Sequence, residues 1–183
     1  MKPALARAAQ AAQDRCMVEV LEVRRATPRD AGEVTALLLA CYGTLYRGWY
    51  PDAAVDRALP GLARAQPSLL ASGRFRIATI GGEAAAVGGW SEPAENGRIL
   101  RTGHVRHFGA HPDRLRRGAA GAILAECLEE AAAEGVVRMT CVSSLPAEPF
   151  YAAFGFTTTG FRLAAAPGGG RFGVALMERA LTR

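Results

Sequence analysis

The sequence predicts a mixed α/β (α+β) protein, with helices on both faces of a central, mostly antiparallel sheet. Three observations predict it. Short strand-like runs at residues 74–80, 84–91 and 98–110 are separated by tight-turn signals, Gly81-Gly82 and Asn96-Gly97, which mark antiparallel hairpins. Two segments, near residues 31–42 and 118–134, carry apolar residues at helical spacing. The second lies between two strands, so it is a crossover helix within the sheet layer.

Each element has its own local reason. Residues 18–25 alternate loosely and read as the first strand. Thr27-Pro28-Arg29-Asp30 starts a helix: Thr27 is the N-cap, Pro28 takes the first helical position, and Asp30 sits where a capping-box acid belongs. Val34, Leu37, Leu38 and Cys41 form its apolar stripe, and the helix fades around Tyr42 and Gly43. Tyr46, Trp49 and Tyr50 cluster before Pro51. A second helical stretch runs from about Asp52, breaks near Pro60, and resumes from Gly61 to about Leu70. The strand at 98–110 is expected to kink at Gly103 or Gly109. Helix 118–134 buries Ile123, Leu124, Cys127, Leu128 and Ala131. It turns Glu126, Glu129, Glu130 and Glu134 mostly outward, and Gly135 ends it. A strand at 136–142 and a short helix at 147–154, closed by Gly155, come next. Strands at 157–164 and 171–178 finish the chain, joined by Pro167-Gly168-Gly169-Gly170.

The 183 residues suit one domain, taken as 17–183. Residues 1–16 are an extension, either a peripheral helix or an upstream mis-start before Met17. That extension lacks the apolar core of a secretory signal. No apolar run approaches the roughly 18 residues of a membrane span, so no membrane partner is expected. Net charge is +5, and Lys2 is the only lysine among 22 basic residues. Arginines are dispersed along the chain, which argues against nucleic acid and favours small anions. Cys16, Cys41, Cys127 and Cys141 show no metal-ligand spacing, so neither a metal nor a disulfide is expected, and the protein reads as cytoplasmic.

Residues 113–124 read DRLRRGAAGAIL. A strand entering a helix through a small-residue turn exposes the first free N–H groups of that helix, and these with the helix dipole bind anions. Gly118 and Ala120 leave room for a phosphate at the backbone, and Arg114, Arg116 and Arg117 add charge. Each dipole contact contributes about 0.3–1 kcal/mol. The plainer reading is a glycine-relieved turn with solvated arginines. A Walker loop is excluded because Gly-Lys-Ser/Thr is missing, and Gly118-Ala119-Ala120-Gly121 is not the dinucleotide pattern.

The loop and its flanks resemble the GNAT superfamily of acyl-CoA-dependent N-acetyltransferases, over about residues 18–181. The family's loop reads Gln/Arg-x-x-Gly-x-Gly/Ala, and here the register is Leu115-Arg116-Arg117-Gly118-Ala119-Ala120. Gly118 and Ala120 match. Leu115 departs, so Arg114 or Arg116 must supply the lost side chain. Phe108-Gly109-Ala110-His111-Pro112 resembles the strand end before the loop. Phe150-Tyr151-Ala152-Ala153-Phe154-Gly155-Phe156 resembles the downstream Phe-Tyr-x-x-x-Gly-Phe segment. Pro146 stands where the family often has asparagine.

The resemblance implies about seven strands, with the fourth and fifth splayed. It implies acetyl-CoA as cosubstrate, held by the backbone near Phe108, Gly109 and Ala110, by Arg114, Arg116 and Arg117, by Gly118 to Gly121, and by Phe150. It implies a small-molecule or peptide amine as acceptor, attacking directly, and Tyr151 as the acid toward the departing thiolate. A family glutamate four residues before the position of Phe108 corresponds to His104, which titrates in a useful range and is either the replacement for that carboxylate or a half-buried strand histidine with no role. Strand alternation puts His104, Arg106, Phe108 and Ala110 on one face. Tyr42, Tyr46, Trp49, Tyr50 and Trp90, with Glu92 and Glu95, are expected to form an aromatic, mildly acidic acceptor pocket, to which Arg106 also belongs. The other readings are a non-catalytic acyl-CoA-binding module, favoured by the missing glutamate and by Pro146, and a phosphate- or nucleic-acid-binding protein using the arginine loop. A homodimer is possible through a free sheet edge.

Overall fold

A computed structural model describes residues 19–92 and 101–181. The expected turn at Asn96-Gly97, Glu95, Cys16 and the extension 1–16 lie outside the described residues. The strands are β1 (Leu21–Arg25), β2 (Phe75–Ile80), β3 (Glu83–Ser91), β4 (Thr102–Ala110), β5 (Arg138–Ser144), β6 (Thr157–Ala165) and β7 (Arg171–Ala180). The helices are α1 (Ala31–Leu45), α2 (Asp52–Leu62), α3 (Pro67–Ala71), α4 (Ala119–Ala133) and α5 (Glu148–Ala153). The sheet order is β1-β2-β3-β4-β5-β7-β6, and every pair is antiparallel except β4 with β5. The crossover between β4 and β5 is α4, which is why that pair is parallel.

Helix α4 covers one face. Ile123, Leu124, Cys127, Leu128 and Ala131 meet Ala86, Trp90, Val105, Met139 and Cys141 there, with Tyr151 of α5 and Phe156 in the same core. The other face is packed by α1, where Leu37, Leu38 and Cys41 join Phe75, Ile77 and Val87. A third cluster ties α2 to β7 through Val55, Ala58, Phe172 and Val174. The stripes legible in the sequence are the buried stripes of the structure, because an amphipathic helix has one way to hide its apolar side.

Helix starts and stops follow their chemistry. Asp30 Oδ2 accepts from the Thr27 N–H at 2.7 Å and from Thr27 Oγ1 at 2.9 Å, closing the turn Pro28–Asp30 that leads into α1. The break expected at Pro60 falls later. Helix α2 runs through Pro60 to Leu62, and the chain leaves helical geometry over residues 63–66. Pro67 forces Gln66 into an extended conformation, φ −95° and ψ 115°, and that places the interruption.

The β4 kink is neither at Gly103 nor at Gly109. It is a β-bulge against β3, where Val87 faces Gly109 but Gly89 faces Arg106, and His107 adopts φ 50°. The bulge reverses the alternation expected for this strand. Val105 packs on the α4 face, and past the bulge Phe108 and Ala110 also face α4. A Cβ on Gly109 would meet Leu38 and Cys41 on the α1 side. His104 and Arg106 therefore lie on the α1 face and Phe108 and Ala110 on the α4 face, which corrects the single-face reading.

Candidate active site

The site begins where two strands part. β4 and β5 pair only at Thr102–Arg138, Gly103–Met139 and His104–Thr140. Beyond that rung, β4 continues to Ala110 and β5 to Ser144 without pairing to each other. The fork leaves facing backbone edges, which in an ordinary sheet would be joined. Phe108 C=O, at the bulge, accepts a bond from Tyr42 Oη at 3.2 Å and keeps a second lone pair. The Ala110 backbone is hydrogen-bonded to the Cys41 thiol, and burial pushes that thiol's pKa up to about 11.

At one end of the fork stands the N-terminus of α4. Gly118 is its N-cap at φ 85°, a left-handed conformation that glycine adopts without a Cβ clash. No side chain caps this helix end. Ala119 is buried and Ala120 half-buried, so the first turn sits against the core with its amides facing the loop. The three arginines are unequal. Arg114 pairs with Glu83, and Arg117 pairs with Glu19. Arg116 is exposed, has no carboxylate partner among the described residues, and is held at φ 58°. Of the two candidates for the side chain lost at Leu115, Arg116 is the one left uncommitted. A Cβ on Gly121 would come within 3.0 Å of the Phe154 ring, so α4 touches the segment after α5 closely.

Tyr151 lies on α5 under the fork, 5% exposed, with ring contacts to Phe108, Phe150 and Phe156. Its phenol shares a hydrogen bond with the Cys141 thiol of β5. Burial raises the Tyr151 pKa well above the ordinary phenol value, so it is a neutral donor throughout the working range. Burial likewise pushes Cys141 up to about 12. Tyr42 and Tyr46 stack at 5.0 Å, and Tyr46 is hydrogen-bonded to Ser144 at the end of β5. The two sides of the fork are thus each held by a phenol. Cys141 and Ser144 were not singled out from the sequence. The signal for Cys141 was its place within a strand whose alternate residues, Met139 and Cys141, share the core face.

The acceptor pocket expected from the sequence is only partly assembled. Tyr42 and Tyr46 reach the fork. Tyr50 instead ties the structure together: its hydroxyl donates to Gly173 C=O and accepts from the Leu145 N–H, both at 2.8 Å. Trp49 is 57% exposed on the loop after α1. Trp90 is fully buried on the α4 face, donates from Nε1 to Glu130 at 2.9 Å and is covered by the Arg74 guanidinium at 4.2 Å, so it is core and no pocket wall. Glu92 forms an ion pair with Arg74 at 3.3 Å, which offsets the acidity assigned to it. Pro146 lies in the 3-10 turn Leu145–Ala147 at the end of β5.

On the α1 face, His104 forms the last rung before the fork. Its Nδ1 lies 2.9 Å from Thr140 Oγ1. Burial, and then the neighbouring Arg106 charge, hold its pKa below the ordinary histidine value. Arg106 donates to Gln66 Oε1 at 3.3 Å. His107 occupies the bulge, and His111 accepts the Asp113 N–H at 3.3 Å as a cap, so both are engaged away from this rung.

An open parallel fork, an uncapped helix N-terminus at one end and a buried phenol beneath form one arrangement. Residues 77–166, which span β2 to β6, match the acetyltransferase (GNAT) domain family. The matched segment is GNAT-like. Solved structures agree on the fold. A GCN5-related N-acetyltransferase from Rhodopseudomonas palustris is similar at 21% identity, TM-score 0.73, over 90% of this chain and 96% of that one. The PaiA N-acetyltransferase of Thermoplasma acidophilum, solved in complex with coenzyme A, is similar at 11% identity, TM-score 0.66, over 88% and 99%. The ribosomal-protein-S18-alanine N-acetyltransferase of Escherichia coli is similar at 14% identity, TM-score 0.60, over 90% and 96%. No curated protein matches the chain. The match to this domain family supports acyl transfer as the general chemistry.

Proposed function

We propose that this protein transfers an acetyl group from acetyl-CoA to a primary amine of a small molecule or peptide by direct attack. The observation that carries the proposal is the fork: β4 and β5 separate past His104–Thr140, with α4's uncapped amides at one end and the Tyr151 phenol beneath. In this reading the coenzyme's diphosphate lies on the amides of residues 118–121 with Arg116 beside it, and the pantetheine arm lies along the open β4 edge near Phe108 and Ala110. Phe150 packs beside that arm, and Tyr42 and Tyr46 border the acceptor.

The chemistry follows from the groups. An alkylamine has a pKa of about 10.4 and arrives as an ammonium. His104 takes a proton from it. The amine nitrogen then attacks the thioester carbon, the C–S bond breaks, and the sulfur leaves as a thiolate. The Tyr151 O–H, kept protonated by burial, donates a hydrogen bond to that sulfur. The second nitrogen proton passes to solvent as the amide forms. No metal enters any step.

Thiol release from acetyl-CoA is measured against polyamines, amino acids, aminoglycosides and peptide N-termini. Turnover with one class is expected. Coenzyme A binding without turnover across the panel would mean a binding module instead. With the accepted amine, Tyr151→Phe is expected to lower kcat about ten- to a hundredfold with little change in the KM for acetyl-CoA. A raised KM at unchanged kcat would remove the role assigned to the phenol.

A further inference from the structure

The last rung of the β4–β5 pair carries more information than its position. Thr140 Oγ1 has one hydrogen. It is donated to Gly103 C=O at 3.1 Å. The same oxygen lies 2.9 Å from His104 Nδ1. With the Thr140 hydroxyl donating to that carbonyl, its oxygen accepts from the ring, and Nδ1 then carries the hydrogen. A neutral imidazole has one N–H. Nε2 is therefore the bare nitrogen of His104.

We propose that Thr140 is a positioning residue that locks His104 in the Nδ1–H tautomer and so makes Nε2 the proton acceptor at the mouth of the fork. The inference rests on the acetyltransferase reading only for what the proton is taken from. Three observations support it. Nε2 has no hydrogen-bond partner among the described residues. No buried side-chain nitrogen or oxygen among them lacks a partner, so Nε2 opens to solvent. The rung is also the last before the strands separate, so the open nitrogen stands at the entrance to the gap.

The electrostatic setting agrees. On β4 the neighbouring charge is Arg106. On β5 and β7 the same face carries Arg138 and Glu178, which form an ion pair at 3.8 Å, and Glu178 lies directly opposite Thr140 in the ladder. From β3, the residue opposite His104 is the uncharged Ser91. Among the described residues no carboxylate forms an ion pair with the ring, and burial with Arg106 favours the neutral base. An unconstrained histidine side chain in water prefers the opposite tautomer, with the hydrogen on Nε2. The threonine therefore reverses an intrinsic preference.

Two measurements test this on the full chain. Long-range proton–nitrogen NMR distinguishes a protonated from a bare ring nitrogen, and His104→Gln assigns the signal among the three histidines. At neutral pH, His104 Nδ1 is expected to be the protonated nitrogen in the wild type. In Thr140→Val, which keeps the shape and removes the acceptor, the proton is expected to move to Nε2. In Thr140→Ser it is expected to stay on Nδ1. A wild-type ring protonated at Nε2 overturns the proposal whatever the enzyme's activity. In turnover, Thr140→Val should lose at least about tenfold in kcat at unchanged KM for acetyl-CoA, with Thr140→Ser restoring most of it. Should Thr140→Val keep full kcat while its tautomer switches, His104 is not the proton acceptor and the assigned role falls. A folded state equal to wild type in circular dichroism separates either result from simple loss of structure.

Discussion

At the scale of single residues, the loop before α4 separates three arginines that look alike in the sequence. Arg114 and Arg117 are neutralised by Glu83 and Glu19, while Arg116 has no carboxylate partner among the described residues. A hydrogen bond to a charged group contributes about 1.5–3 kcal/mol. Arg116→Ala is therefore expected to raise the KM for acetyl-CoA at least about tenfold with kcat unchanged. Arg117→Ala should change it much less, since its charge is already spent on Glu19. Equal effects of the two variants in steady-state kinetics would show that the ion pairs do not partition the loop. Trp90 teaches the converse. An aromatic near a predicted site is most often core, and only its contact with Glu130 and its burial show which it is.

Among the elements, local signals were most reliable where chain chemistry alone decides. The turn at Thr27 to Asp30 is one such place. The Arg24 guanidinium, and then the Thr27 N–H, hold the Asp30 carboxyl well below the usual carboxylate range. That lowered pKa stabilises the fold above the ordinary carboxylate pKa of about 4, and the contribution is lost as pH falls through the folded value. Asp30→Ala is expected to cost about 1 kcal/mol at neutral pH, the usual loss on removing a cap. The melting temperature should drop by about 2–4 °C in a protein this size. The difference from wild type should shrink in acid, and a constant difference at all pH values would deny the carboxylate its part. β4 is the opposite case. Nothing in residues 102–110 announces that His107 takes φ 50°, because a bulge is a compromise between two strands, and only the pairing with β3 shows it.

For the molecule as a whole, the sheet brings His104 and His107 into half-buried positions beside Arg106. Burial, and secondarily Arg106, lower both pKa values relative to the unfolded chain. As pH falls below about 6.5 the unfolded chain binds protons first, so stability is full above that value and declines as pH drops toward the folded pKa values. Urea unfolding should give a midpoint that falls as pH drops below about 6.5. The double variant His104→Gln, His107→Gln should flatten this slope, and an undiminished slope would assign the effect elsewhere. The same assembly explains what was legible beforehand. Helical stripes, caps and hairpin turns are encoded within a few residues, since periodicity and backbone chemistry are local properties, and so the order of elements, the buried face of α4 and the small-residue entrance to it followed from the sequence alone. Which arginine has no carboxylate partner among the described residues, which side of β4 His104 occupies, and that Thr140 holds it depend on contacts between residues tens of positions apart. Those contacts exist only once seven strands have found their register, and the tertiary structure alone decided them.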